Sequence, residues 1–174
     1  AMVNKINFKL ENYGSTINHV QPLNLFQGND TEVEQLVNDI NANKIDALIF
    51  YNCNPVYSLP NGDKFGVALI NSKMLKVSFA DVMDETAACC QYVCPDHNYL
   101  ESWCDFEPVA GHISLQQPII RPLYNTRQAQ ESFLVWANKS IRGGSESKAF
   151  YNFIKENWIT NNIGNQSEYI TFDE

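Results

Sequence analysis

Three stretches of this chain hold residue types that could do chemistry. The first is Asn52-Cys53-Asn54-Pro55, which directly follows the apolar run Ala47-Leu48-Ile49-Phe50-Tyr51. Ligands of open α/β sheets sit beyond the carboxyl ends of the strands. A tight Asn/Pro loop at such an end can present backbone N–H groups to a phosphate; the same residues also make an ordinary turn. The second stretch is Pro95 to Trp103, where His97 and Glu101 are four apart, with Asp96 and Asp105 nearby. On a helix, that spacing puts His and Glu on one face, where they could hold a metal. Pro95, Tyr99 and Trp103 favour extended or irregular backbone instead, and no second His lies close. Glu101 and Glu107 could serve as an acid–base pair, at a separation the sequence does not fix. The third stretch holds Cys89, Cys90 and Cys94, with Cys53 and Cys104 further off. Five cysteines are an odd count, which argues against a fully paired disulfide framework. Neither a C-x2-C zinc knuckle nor the ferredoxin spacing is present, so the three read as small buried apolar residues on a helix.

Other chemistries lack their signatures. There is no G-x-G-x-x-G, no P-loop and no G-x-S-x-G. Cys94 precedes a proline with no evident activating base. Trp103 reads as an anchor, a large apolar body buried under the following loop. Asp96, Glu101 and Asp105 would cost too much if buried unpaired. They are expected to face solvent or to bond backbone N–H groups, Arg121 or Arg127, with lowered pKa values.

Length and composition set the frame. The 174 residues suffice for one domain with a real core, and 44% hydrophobic with 18% charged residues is globular. A net charge of −8, with no Lys/Arg cluster, disfavours nucleic acid and anionic lipid as partners. No run is long and apolar enough to span a bilayer. Ala1-Met2 reads as a cloning remnant, so the lack of a signal sequence says nothing of the parent protein.

The elements that must position these residues follow from periodicity. The first twenty residues are polar and weakly patterned and read as a loose lead-in. After the turn signal Gln27-Gly28-Asn29-Asp30, Thr31 to Glu34 fits a T-x-x-E capping box. Val33, Leu36, Val37 and Ile40 then make one helix stripe. The run 47–51 is short, apolar and unalternating, as in a strand covered on both faces; Leu48, Ile49 and Phe50 are expected to be fully buried. Helices are predicted over Lys64–Ile70 and Asp84–Val93, and a second strand over Leu75–Phe79. That alternation argues for a parallel sheet. Tyr99-Leu100, His112–Leu115 and Ile119-Ile120-Arg121 look extended. A helix should open near Asn125 or Thr126 with Gln128 completing its box. Its inner face would hold Ala129, Phe133, Trp136 and Ala137. Gly143-Gly144 breaks the chain, a last helix runs near Ser147–Trp158, and the tail after Asn161 is polar and loose.

Several of these segments also carry a resemblance. Asp46 to Pro55 is similar to the strand and Asn-Pro loop of the molybdopterin oxidoreductase superfamily, which includes dimethyl sulfoxide reductases and formate dehydrogenases. Asp84-Glu-Thr-Ala87 with Tyr92-Val-Cys-Pro95 looks like that superfamily's "E-T-A … A-D-V-V-L-P". More particular are Pro95 to Trp103, Ser114-Leu-Gln-Gln-Pro118, Arg121-Pro-Leu123 and Thr126 to Ser132. Together they resemble the iron–sulfur and molybdopterin-like large subunit of alternative complex III, also described as a Tat-translocated molybdopterin oxidoreductase. The match runs from about Leu23 to Ala137. Two positions depart from the pattern: Gln91 stands where the family has Asp, and Cys94 where it has Leu.

The resemblance implies an α/β, three-layer fold with a mainly parallel sheet, of the formate dehydrogenase/dimethyl sulfoxide reductase kind. It implies a lead-in over 1–22, the oxidoreductase-like domain over 23–142, and a C-terminal helix and tail over 143–174. Asn52, Asn54, Pro55, Glu85 and Thr86 become the candidates for holding a pterin guanine dinucleotide. The complex III-like branch is thought to lack the molybdenum cofactor, so no cofactor is expected in this fragment. The implied function is a structural or cofactor-vestigial domain of a respiratory electron-transfer subunit, on the periplasmic side of a bacterial inner membrane. Its partners would be other domains of the parent chain and iron–sulfur and cytochrome c subunits. The alternative is a true dinucleotide-binding domain of a catalytic molybdenum enzyme.

Overall fold

The computed structural model of the protein describes residues 2–25, 28–139 and 148–161. In chain order the elements are α1 (Met2–Lys9), α2 (Asp30–Asn41), β1 (Ala47–Phe50), α3 (Pro55–Ser58), α4 (Gly62–Asn71), β2 (Leu75–Ser78), β3 (Tyr92–Val93), β4 (Cys104–Val109), β5 (His112–Gln116), α5 (Ala129–Trp136) and α6 (Ala149–Asn161). Single 3-10 turns lie at Ala87–Cys89 and Tyr99–Glu101. The chain divides into two compact units, one of Ala1–Gly28 with Asp105–Gln116 and the other of Asn29–Cys104 with the chain from Gln117 on.

The larger unit is α/β. Its strands form a parallel sheet in the order β1-β2-β3, with Ile49 opposite Val77 and Val77 opposite Tyr92. Helices α2 and α4 supply the core against it. Ile40, Phe50, Phe65, Leu69 and Met74 are buried together, with Leu36, Val37 and Leu48 packed around them. Helix α2 carries the expected stripe. Its cap is Asn29, whose side chain accepts from the Thr31 N–H, in place of the expected box from Thr31 to Glu34. The cap thus lies two residues earlier than the pattern suggested and satisfies the N–H of the second helical residue.

The expectation of full burial for 48–50 is corrected. Phe50 is buried, Leu48 is half-buried, and Ile49 keeps 42% of its surface exposed. The reason is position. β1 is an edge strand, and alternation along it sends Leu48 and Phe50 into the core and Ala47 and Ile49 to the other side. Strand β2 is the central one, and of its residues Lys76, Val77 and Ser78 are buried. Lys76 is tolerated because its ammonium donates to the Ser72 carbonyl (3.1 Å), the Ser72 hydroxyl (3.2 Å) and the Met74 carbonyl (3.3 Å). Ser72 is the C-cap of α4, where a cation also meets the negative end of the helix dipole.

The helix expected over Asp84–Val93 is a 3-10 turn followed by the short strand β3. Asp84 caps the start of the turn, its carboxylate accepting the Ala87 N–H at 2.7 Å and its carbonyl the Ala88 N–H at 2.9 Å. The turn ends at Cys90, whose backbone is extended, and the chain then pairs with β2 through Gln91 N–H to the Lys76 carbonyl and Cys94 N–H to the Ser78 carbonyl. The helix expected from Asn125 starts at Ala129 with no cap bond from its N-cap residue Gln128, and Ile119–Arg121 forms no strand. Tyr99 belongs to a 3-10 turn, with Asn98 and Glu101 forming a capping box. Pro55–Ser58 forms a helical turn the sequence reading treated as loop. Gly62 must be glycine, because a Cβ there would collide with the Val56 carbonyl oxygen. Gln27, Gly143-Gly144, Ser147 and the tail after Asn161 lie outside the described residues.

The smaller unit contains α1 and the β4–β5 pair, joined by the two-residue turn Ala110-Gly111. Pro22–Asn24 runs beside β4, through Ala110 N–H to the Pro22 carbonyl and Asn24 N–H to the Pro108 carbonyl. Residues 2–9, expected to be loose, are helical, yet none of them is buried.

Replacing Leu69, fully buried between α4 and the sheet, with Ala should cost roughly 2–5 kcal/mol. Ile49→Ala on the open side of β1 should cost about 1 kcal/mol or less. Denaturant melting of the two variants against the parent chain checks the contrast.

Candidate functional site

Chain topology brings all five candidate residues to the carboxyl end of the sheet. Asn52 follows β1 and is exposed, with a φ of 52° that Asn tolerates better than most residues. Asn54 precedes α3, and Pro55 is its first residue, where a missing N–H costs nothing. Glu85 and Thr86 come from the loop after β2, some thirty residues away.

Hydrogen bonds tie the two loops. The Thr86 hydroxyl donates to the Asn54 side-chain oxygen at 2.7 Å and accepts from the Val56 N–H at 3.1 Å. The other end of the Asn54 amide donates to the Glu85 carboxylate at 2.7 Å. Thr86 has no exposed surface. Glu85 is exposed, and its pKa lies below the usual value because the Asn54 amide favours the carboxylate. The loop therefore presents a negative charge at the strand end, and its buried hydroxyl is consumed within the chain. A diphosphate would meet Glu85 as a like charge and would not reach Thr86. Asn52 stands outside this network.

A second polar group draws Tyr51 from the end of β1, Asp96 from the loop after β3 and Gln130 from α5. Asp96 accepts from the His97 N–H at 2.7 Å and the Ala129 N–H, 33 residues on, at 2.8 Å. Burial raises its pKa against those two bonds, which corrects the expected lowering. Two neutral N–H donors do not offset the loss of water around a carboxylate here. Tyr51 takes a short hydrogen bond from the Gln130 amide, and burial and the Asp96 charge raise its pKa. His97 Nε2 and Gln130 Oε1 are buried without a partner among the described residues. Rings of Tyr51, Phe79, Phe133 and Trp136 pack edge-on with one another. No short motif links Tyr51, Asp96 and Gln130, so sequence pattern had no means of finding this group.

The other candidates are structural in placement. Glu101 accepts from the Asn98 N–H (3.1 Å) and the Leu123 N–H (3.0 Å), fastening two loops. Trp103 is half-buried, and its ring lies 4.8 Å from that of Tyr151 on α6, which replaces the expected cover by its own following loop. Cys89, Cys90 and Cys94 are half-buried free thiols, not fully buried ones, and only Cys89 lies in a helical turn. Burial, then the neighbouring Cys89, pushes the Cys90 thiol up to about 11, so it stays protonated at neutral pH and is a weak nucleophile. Among the described residues no three His, Cys, Asp or Glu side chains gather as a metal-ligand set. The Gln91 side chain, at the position where the resemblance expects Asp, accepts from the Lys76 N–H at 2.7 Å and donates to the Met74 carbonyl at 3.1 Å. It extends the edge of β2 as a strand would. No helix among the described residues is long and apolar enough to cross a membrane.

The class these features define is a parallel α/β unit whose strand-end loops are closed by their own side chains. No protein-family profile matches the chain. It is similar to the menaquinone reductase molybdopterin-binding-like subunit of Nitratidesulfovibrio vulgaris (strain Hildenborough), at 34% identity over 97 residues. The match takes in 53% of this chain and 14% of the length of that subunit. The similarity supports a relation to the molybdopterin oxidoreductases.

Two outcomes are expected. Thr86→Val strands the Asn54 oxygen and the Val56 N–H and should cost about 1–3 kcal/mol, with Thr86→Ser recovering most of it; denaturant melting measures both. Asp96 supplies a pH dependence. Its folded pKa is raised above the unfolded value, so below the unfolded value it is protonated in both states and its burial penalty is absent. As pH rises from there through the folded value the folded state gives up its proton and the penalty appears, so stability falls across that window. Asp96→Asn keeps an oxygen for both N–H donors, and it should gain on the parent chain as pH rises through the same window. Thermal melts across the acid range test the sign.

Proposed function

We propose that this chain is a domain of a longer molybdopterin-oxidoreductase-like subunit of a respiratory electron-transfer complex, and that its strand-end loop is scaffold. The observation that carries the second half is the buried Thr86 hydroxyl, which is bonded to Asn54 and Val56 and has no surface for a ligand. The ionised Glu85 beside it supports the same reading. The 34% identity to a molybdopterin-binding-like subunit, together with the ordered set of resembling segments, supports the first half. In this reading the parallel sheet belongs to the three-layer architecture of formate dehydrogenases and dimethyl sulfoxide reductases. The partners are further domains of the parent chain and iron–sulfur and cytochrome c subunits, as in alternative complex III, on the periplasmic side of a bacterial inner membrane after Tat export.

One observation favours the alternative, a dinucleotide-binding domain. Asn52 is exposed at the end of β1 and outside the Asn54–Thr86 network. If a pterin guanine dinucleotide binds, Asn52 and the backbone of this loop would hold its diphosphate. Calorimetric titration with guanosine diphosphate, the nucleotide half of that group, separates the two. The scaffold reading expects no saturable heat, and Asn54→Ala should lower only the melting midpoint. Saturable binding that is lost in Asn52→Ala would put the dinucleotide-binding domain first.

A further inference from the structure

We propose that α1 of one copy of this chain docks in the groove beside α2 of a second copy, giving a dimer matched in charge. The smaller unit motivates it. Among its described residues no side chain is buried, although it is rich in large apolar ones. Helix α1 concentrates them. Met2 and Ile6 of α1 and Leu10 just after it recur every four residues, with exposures of 77%, 50% and 65%, and Val3 lies beside them. Such spacing makes one stripe. Lys5 and Lys9, also four apart, run along one edge of that stripe. An apolar stripe of this kind is a surface that normally meets a partner.

The larger unit holds a groove of about 610 Å³ with the complementary character. Val33 and Val37 of α2 and Leu59 and Phe65 line it with apolar surface. Asp30 and Glu34 of α2 line it with charge, again four apart, and Lys64 adds a single cation. Four residues of helix advance about 6 Å, so the lysine pair and the carboxylate pair have the same spacing. With the two helices antiparallel, Lys9 meets Asp30 and Lys5 meets Glu34. That orientation also places the negative end of the α1 dipole against the positive end of α2. A second copy is favoured over a bilayer as occupant because it offers two carboxylates, Asp30 and Glu34, at the spacing of Lys5 and Lys9 beside an apolar groove.

Sedimentation velocity across a wide range of protein concentration tests this. The parent chain should show a concentration-dependent dimer. Lys5→Glu/Lys9→Glu should weaken it by roughly tenfold or more, since two attractive pairs become repulsive. Adding Asp30→Lys/Glu34→Lys in the same chain should restore the dimer, with circular dichroism confirming that each variant is folded. A parent chain that stays monomeric, or a four-fold variant that fails to recover, overturns the proposal. Flotation with phosphatidylserine vesicles covers the remaining occupant: binding that is lost in Lys5→Glu/Lys9→Glu, without any dimer, would assign α1 to a membrane surface instead.

Discussion

The hydroxyl of Thr86 lies out of reach of water, so it must find both of its partners within the chain. It finds them across thirty residues, in the side chain of Asn54 and the N–H of Val56. Those two bonds fix where the loop after β2 crosses the loop after β1. They hold the start of α3, and through the contact that excludes a Cβ at Gly62 they hold the start of α4. Helix α4 in turn carries Phe65 and Leu69 into the core. A parallel sheet this short has few ladder bonds of its own, and parallel pairing is slightly the weaker kind. The crossing loops therefore do much of the work of keeping β1 and β2 side by side.

Several features were legible in the residues themselves. The stripe Val33-Leu36-Val37-Ile40 gave α2, and the apolar runs gave β1 and β2, because those patterns encode which face meets the core. The loops at 52–55 and 84–87 were linked only by resemblance, since the bonds between them join residues far apart in sequence. Burial was misjudged where it depends on neighbours. Ile49 looks like a core residue, and its exposure reflects an edge position in a three-stranded sheet that no local pattern specifies. The Asp84–Val93 segment has helical composition, yet its second half pairs with the distant β2, and that ladder ends the turn at Cys90. Asp96 shows a different gap. Its partner Ala129 N–H could be anticipated as a type, but the balance between two neutral donors and lost solvation depends on how deeply the segment packs.

The open side of β1 bears on the proposal that the chain is a domain of a longer subunit. Ala47 and Ile49 are exposed, and so are Leu75 opposite Ala47 and Tyr92 opposite Val77. Parallel sheets as a class are covered on both faces. Here one face has α2 and α4. At the carboxyl end, Phe133 and Trp136 of α5 meet Tyr51 and Phe79, the residues just past β1 and β2. A helix of eight residues is about 12 Å long, too short to extend that cover far. An apolar sheet surface left in this state is the kind that further polypeptide covers, which is consistent with a chain matching only 14% of the length of the similar subunit.

Four polar groups of the larger unit follow one rule that bears on chemistry. Lys76 meets three neutral oxygens, Asp96 and Glu101 meet two backbone N–H groups each, and Thr86 meets an amide and an N–H. In each case a side chain replaces water for itself while fastening one segment to another. A general acid or base must instead keep a lone pair or proton free toward an open site. Asp96 has a raised pKa, and one of its carboxylate oxygens takes both N–H donors, joining its own loop to the start of α5. Its perturbation is then a consequence of packing, in the way structural networks also perturb pKa values. The same holds for the thiol of Cys90, which burial keeps protonated where a nucleophile would need a nearby cation strong enough to favour the thiolate. Groups that would be reactive in an open cleft are here used to hold the segments of the unit in place, which is the physical content of the scaffold reading.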